Sequence, residues 1–211
     1  MFEGIIFMKK IGIMGGTFDP IHTGHLISAE TVRVEYGLDK VIFIPAGNPP
    51  HKQGQKITPA VHRYVMTVMA TSSNPHFFVS SLEQEQEGLS YTVDTVRSLS
   101  VQYGAKAELY FIAGADMLKD LDEWKDIEYL LTLCRFVVVA RPCSIERERI
   151  GEIIKKFSFG AALPLDYLAA PEIEISSTDI RDRVKSGRSI KYIVPESVEA
   201  YIHRHNLYID N

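Results

Sequence analysis

Cysteine is scarce in this chain of 211 residues: Cys134 and Cys143 are the two that occur, and they form no C-x-x-C pair. Two such residues cannot build a disulfide framework, so a reducing cytoplasm is the expected compartment. Uninterrupted apolar sequence is missing too. No run reaches the roughly eighteen residues that a membrane-spanning helix needs, and no membrane partner is expected. The apolar run at residues 4–8 has no basic residue before it and no small-residue cleavage site after it, so it does not read as a signal peptide. Met8 directly precedes Lys9-Lys10, and the residues before it read either as an extension of the first strand or as a start assigned upstream of the natural one. An excess of one charge sign is also lacking: Lys and Arg number 23 against 27 Asp and Glu, a formal net charge of -4. That balance argues against a nucleic-acid surface while leaving room for a local basic pocket. Finally, neither common phosphate loop is present. The G-x-G-x-x-G spacing of a dinucleotide fold is absent, and so is any Gly-Lys-Ser/Thr of a Walker loop.

What is present is the composition of a globular protein, 45% hydrophobic and 24% charged, long enough to bury a sizeable core without covalent staples. Residues 11–14 form an apolar run suited to a strand covered on both faces. Helical spacing over 26–36 ends at Gly37, and a second strand follows at 41–44. A long Pro-rich loop covers 45–55. Thr58-Pro59 then reads as an N-cap and a first helical residue, opening a helix through Met69 that contains Arg63. Strands are expected at 77–79, 109–112 and 136–140, the last stopped by Arg141-Pro142. A helix opens near Ser90 or Thr92, and another follows the small-residue turn at 113–117. Residues 146–157 read as an exposed charged helix. Ser177 or Thr178 caps a helix running to about Lys185, and a last helix covers about 196–205, with His203 and His205 on its surface. Alternating strands and helices predict an α/β fold with a doubly wound parallel sheet. The expected organisation is one domain over 1–211, with the sheet core at about 9–160 and a small C-terminal strand and helices at about 161–211.

The string from Lys10 to His25 organises the rest: a buried strand, Gly15-Gly16, then Thr17-Phe18-Asp19-Pro20-Ile21-His22-Thr23-Gly24-His25. The glycines let the backbone turn tightly or approach a ligand closely, and Phe18-Asp19-Pro20 reads as turn chemistry, Pro20 fixing its own φ and keeping Asp19 out of the helical region. A helix beginning near His22 or Thr23 would aim unpaired N–H groups and the positive end of its dipole at an anion. The three-residue spacing of His22 and His25 puts both imidazoles on one face, able to donate to phosphate oxygens. Solvated histidines are the plain alternative, and a two-histidine metal site with Asp19 is another, disfavoured because no second His or Cys cluster occurs. Asp116 suits a ribose hydroxyl, a metal ion or a helix N-cap. His51 and Lys52, in the loop at the carboxyl end of a strand, could reach an anion or could simply be solvated. Trp124, the single tryptophan, reads most simply as core packing.

The Gly-Gly-Thr-Phe-Asp-Pro-Ile-His-Thr-Gly-His string resembles the signature of the nucleotidyltransferase superfamily, whose H-x-G-H motif is here His22 to His25. The string Ile175-Ser176-Ser177-Thr178-Asp179-Ile180-Arg181 resembles the I-S-S-T-x-I-R of adenylyltransferases. Within the superfamily the chain is most similar to the bacterial nicotinate mononucleotide adenylyltransferases. Five segments match in order between Lys9 and Tyr208: the opening motif, Pro49-Pro50-His51-Lys52, Ser90-Tyr91-Thr92, Gly114-Ala115-Asp116-Met117 with Trp124, and Arg141-Pro142 with the Ser-Ser-Thr string.

The resemblance implies a Rossmann-like nucleotidyltransferase fold and transfer of AMP from ATP to nicotinate mononucleotide, giving deamido-NAD and pyrophosphate. It implies catalysis by His22, His25 and Arg181. ATP would be held by Gly15, Gly16, Thr17, Phe18, both histidines, Asp116, Ser176, Ser177, Thr178 and Arg181. The acceptor would be held by His51, Lys52, Tyr91, Thr92, Trp124 and Arg141, with Trp124 stacked on the pyridine and Thr92 near its carboxylate. Mg²⁺ would accompany ATP, with no dedicated metal ligands on the chain. The partners are these small molecules, and self-association into a homo-oligomer is left open. One departure stands out: Lys125 occupies a position where close relatives often carry an aromatic residue. Two other readings remain: pantetheine-phosphate adenylyltransferase, which shares the first motif but does not require the Trp124 segment, and a nucleotide-binding regulator without turnover.

Overall fold

Period-two alternation along the strands sorts the core into two layers. In β1 (Lys9–Gly16) and β4 (Ala107–Gly114), Ile11, Ile13, Leu109 and Phe111 bury on one face of the sheet, while Met14, Tyr110 and Ile112 bury on the other. β5 (Arg135–Ala140) divides likewise, Phe136 and Val138 against Val137 and Val139. Strands apolar on both faces need helices on both sides. The computed structural model describes residues 8–140, 165–169, 171 and 174–209. Within them α3 (Thr92–Tyr103) and α4 (Ile127–Leu133) cover the first face. The second is covered by α1 (Thr23–Tyr36), α2 (Ala60–Thr71), α5 (Ser177–Lys185) and α6 (Glu196–Arg204).

With β2 (Lys40–Pro45), β3 (Phe77–Val79) and β6 (Leu165–Ala169), the six strands lie in the order β3-β2-β1-β4-β5-β6, every pair parallel. The chain winds outward from β1 to β3 and then crosses back to place β4 beside β1, with Ile13 paired to both Ile42 and Phe111. That reversal opens a crevice beyond the carboxyl ends of β1 and β4, where such sheets bind ligands. The expected doubly wound parallel sheet is therefore the one observed. Its sixth strand comes from beyond residue 160, so the division drawn there does not separate sheet from C-terminal part.

Several local expectations change. Gly15 and Gly16 lie in β1, paired with Ile44 and Pro45, and do not make the turn. The turn falls at Phe18-Asp19-Pro20, as that string's chemistry led one to expect, with Phe18 at φ 49 and the Asp19-Pro20 peptide cis. Helix α2 starts one residue later than expected, with extended Pro59 at the cap and no side-chain cap bond, and the Thr58 N–H donates to the Asp19 carboxylate (3.2 Å). Ser90 does not cap α3; its hydroxyl accepts the Asn48 N–H (3.1 Å), and Tyr91 takes the cap position without a side-chain bond. Helix α5 is capped by Ser176, whose hydroxyl accepts the Asp179 N–H (3.1 Å), and not by Ser177 or Thr178. After β4 comes a 3₁₀ stretch, Ala115–Glu123, with Gly114 before it, so Asp116 is not an N-cap. The helix expected after the small-residue turn is α4, which begins only at Ile127, beyond the 3₁₀ stretch, and packs with α3 through Ile127, Leu130 and Leu131. Cys134 is a buried thiol, whereas Arg141, Pro142, Cys143 and the expected helix 146–157 lie outside the described residues.

Candidate active site

Beyond Gly16 the chain leaves the sheet and turns into α1, and this turn is where the two histidines meet. Their rings stack, centroids 3.7 Å apart and 23° from parallel, and Phe18 stands edge-on to His25 at 5.0 Å. The His22 N–H donates to His25 Nδ1 (3.2 Å). An accepting Nδ1 puts the proton of neutral His25 on Nε2, so its free donor is set by the backbone. Burial pulls His22 down from 6.5 to about 4 and pulls His25 well below 6.5, the neighbouring His22 adding to the second shift. Both rings are therefore neutral near pH 7. Gly24 belongs to this packing, since a Cβ there would sit 3.1 Å from His22 Nδ1. That nitrogen is buried and has no hydrogen-bond partner among the described residues.

The C-terminal part pins the turn from outside. Ser177 donates to the Pro20 carbonyl (2.9 Å), Arg181 Nη1 to the Asp19 carbonyl (2.8 Å), and both the N–H and the hydroxyl of Thr23 to Ile193 O (3.0 and 2.8 Å). The Thr23 N–H is thus not free for an anion, contrary to expectation. The Asp19 carboxylate accepts from the Thr58 N–H (3.2 Å) and from the Tyr208 hydroxyl (2.9 Å). Among the described residues no group of three His, Cys, Asp or Glu could hold a metal ion.

Two cavities flank this turn. The first, about 570 Å³, is lined by Thr17, Phe18, His22, His25, Ser176, Ser177, Thr178 and Arg181, all expected on the ATP side. Ser28, Lys52, Gln55 and Lys56 join them. The amino ends of α1 and α5 both face this space, and Arg181 Nη2 also reaches Thr178 Oγ1 (3.3 Å). The second cavity, about 560 Å³, is lined by the expected acceptor residues His51, Lys52, Tyr91, Thr92 and Trp124. Gly15 and Gly16, expected with ATP, face this side instead. Thr17 and Lys52 line both cavities, so the two spaces adjoin there. Arg141 and the Asp116 side chain lie outside the description.

Trp124 both packs and lines. It is half-buried, edge-on to Phe111 (5.9 Å) and angled against Phe136 (6.0 Å). Lys125 lies over the Tyr91 ring at 4.6 Å and pairs with Asp94 at 2.9 Å, at the edge of the second cavity. Two buried ionisable residues beside the site were given no role by sequence reasoning, Glu83 unnamed and Arg63 placed only in its helix. Glu83 lines the second cavity, accepts from the Thr95 hydroxyl (2.7 Å) and is pushed above the usual carboxylate range by burial. The other is Arg63. Its signal was available: it stands with Met66, Thr67 and Ala70 at helical spacing on the buried face of α2, where a cation needs a reason.

Stacked neutral histidines at a helix amino end and two adjoining cavities at the switch point of a parallel sheet define an α/β protein with the ligand crevice of a doubly wound fold. Residues 13–183 match the family model described as Cytidylyltransferase-like, and the chain belongs to that family. It is 51% identical over 199 residues to a protein of Thermoanaerobacter sp. (strain X514) named "Probable nicotinate-nucleotide adenylyltransferase", covering 94% of each chain. A Moorella thermoacetica protein of the same name is 48% identical, over 94% of this chain and 91% of that one. Among solved structures, Plasmodium falciparum nicotinic acid mononucleotide adenylyltransferase complexed with NaAD superposes with a TM-score of 0.76 at 21% identity, over 95% of this chain and 97% of that one. At that identity the likeness is one of fold.

Proposed function

We propose that the protein joins the AMP part of ATP to nicotinate mononucleotide, releasing pyrophosphate and forming deamido-NAD. The names of the relatives support this reaction, and one observation of the site carries its geometry: the two cavities adjoin at Thr17 and Lys52, where an acceptor phosphate and the α-phosphate of ATP would meet. In this reading the first cavity takes ATP. Arg181, Lys56 and the α5 amino end face the polyphosphate. The second takes the mononucleotide, with His51 and Lys52 toward its phosphate and the ring against Trp124. Thr92 and Val93, the first residues of α3, offer N–H groups without intrahelical acceptors to the ring carboxylate.

A phosphate oxygen of the mononucleotide attacks the α-phosphorus in line, and the bond to the β-phosphate bridging oxygen breaks. No covalent enzyme intermediate is needed. The chain positions the reactants and stabilises charge, which is most of what such transfers require of a protein. His25 donates through Nε2 to an oxygen whose charge grows, and the polyanion itself favours protonation of both imidazoles. Magnesium arrives on the triphosphate as part of the substrate. We take residues 1–211 as one domain working in the cytoplasm.

The deciding experiment measures pyrophosphate release from MgATP with nicotinate mononucleotide, with phosphopantetheine and with no acceptor. Release that depends on the mononucleotide is expected. Release with phosphopantetheine instead would move the protein to a different branch, and ATP binding without release under any condition would make it a regulator.

A further inference from the structure

Arg63 has 1% of its surface exposed, and its guanidinium donates to three main-chain carbonyls from three separate stretches: Thr58 O (2.8 Å), Thr17 O (2.7 Å) and Gly47 O (3.1 Å). Gly47 and Thr58 are the two ends of the loop that follows β2. Between them lie His51 and Lys52 on the second cavity and Lys52, Gln55 and Lys56 on the first, while Thr17 belongs to both. Each loop end is held a second time by an acid. The Thr58 N–H goes to Asp19, and the Gly47 N–H goes to the Glu83 carboxylate. Those two carboxylates are also the charges that face the guanidinium, with the Tyr208 hydroxyl beside them. Gly47 packs so closely that a Cβ would come 2.1 Å from Glu83 O.

We infer that Arg63 is a positioning residue for the transfer: by gripping both ends of loop 47–58 and the Thr17 carbonyl together, it sets the alignment of the two half-sites. The inference rests on the reaction proposed above. A planar guanidinium reaches the three carbonyls from three separate nitrogens in fixed directions, whereas an ammonium concentrates its three donors on one nitrogen at the end of a flexible stem. Neither cavity includes Arg63 in its lining, so it acts through the loop and through Thr17, without touching either substrate.

The test is Arg63→Lys in the full chain, read in two ways. Misalignment by about an ångström costs on the order of 10²-fold in rate. At saturating substrates kcat should therefore fall by about that factor, while binding of a non-hydrolysable ATP analogue keeps its full stoichiometry and stays within a few-fold in affinity. Independently, trypsin cleavage after Lys52 and Lys56, followed by mass spectrometry, should accelerate relative to cleavage elsewhere. Wild-type kcat in a folded lysine variant overturns the inference. So does a loss of kcat matched by a loss of analogue-binding sites, with loop cleavage unchanged, because the arginine would then serve folding alone. If the lysine variant does not fold, Arg63→Met removes the buried charge and is read the same way; failure of both to fold also overturns the inference. Should the wild type transfer nothing, the proposed reaction fails, and loop cleavage still reports on the grip.

Discussion

His22 and His25 divide the work of one motif. The His22 main chain fixes the tautomer of His25, and the His22 ring, packed against Gly24, is stacked beneath it. If His25 donates to charge that develops during transfer, His25→Ala should lower kcat by about 10²–10³-fold with little change in folding, as when one preorganised donor is lost. Steady-state kinetics beside a urea melt would check it, and retained turnover would remove His25 from the mechanism. Arg181 is different, because it faces ATP before and during transfer. Arg181→Ala should chiefly raise KM for ATP. A defect confined to acceptor KM would place α5 on the wrong half-site.

The depressed histidines also make stability depend on pH. His22 is displaced from 6.5 to about 4, so the unfolded chain takes up a proton that the folded chain refuses throughout that window. Its contribution is complete above pH 6.5 and is lost as pH falls toward 4, for a total of about 3 kcal/mol, with His25 acting in the same direction. Urea melts across the window should show stability falling with acid, and His22→Asn should flatten that slope. An equal slope in the variant would trace the acid loss to other groups.

At the scale of elements, the loop 47–58 is held by crowding as well as by hydrogen bonds. Gly47→Ala forces the main chain away from Glu83 O, where a Cβ would lie at 2.1 Å. A cost of about 1–3 kcal/mol is expected in a urea melt, together with a raised KM for the mononucleotide, because the displaced loop carries His51. Unchanged stability and KM would show that the loop shifts freely. Strand spacing and the strand-turn-helix order were legible in the sequence because they rest on periodicity and on Gly and Pro chemistry. The site strings were legible as strings, and their residues converge from β1, α1, α3 and α5 on two adjoining spaces. Gly37, which closes α1, was legible, whereas the amino caps of α3 and α5 were not. Ser90 and Ser177 spend their hydroxyls on Asn48 and Pro20, partners 42 and 157 residues away, which no local pattern announces. The start of α4 was not legible either, since a helix only seven residues long leaves little periodicity to detect.

At the scale of the whole molecule, the sheet offers helix amino ends to both cavities, from α1 and α5 on one side and from α3 on the other. This arrangement bears on acceptor choice. The α3 amino end carries no side-chain cap, so the Thr92 and Val93 N–H groups, which have no intrahelical acceptor, can donate to a ligand. A pyridine carboxylate brings two acceptor oxygens and a charge that suits the dipole. A carboxamide brings one acceptor and an NH₂ that would face further donors. Sites that pair a specific polar group discriminate by up to about 10⁴–10⁵ when the mismatch stays buried, and by less when water enters. The second cavity also exposes Lys125 and Glu123 at its edge, which admits water. A preference of at least roughly 10²-fold in kcat/KM for nicotinate over nicotinamide mononucleotide is therefore expected. Pyrophosphate release with each mononucleotide in turn measures it, and equal kcat/KM would remove α3 from acceptor recognition while leaving adenylyl transfer in place.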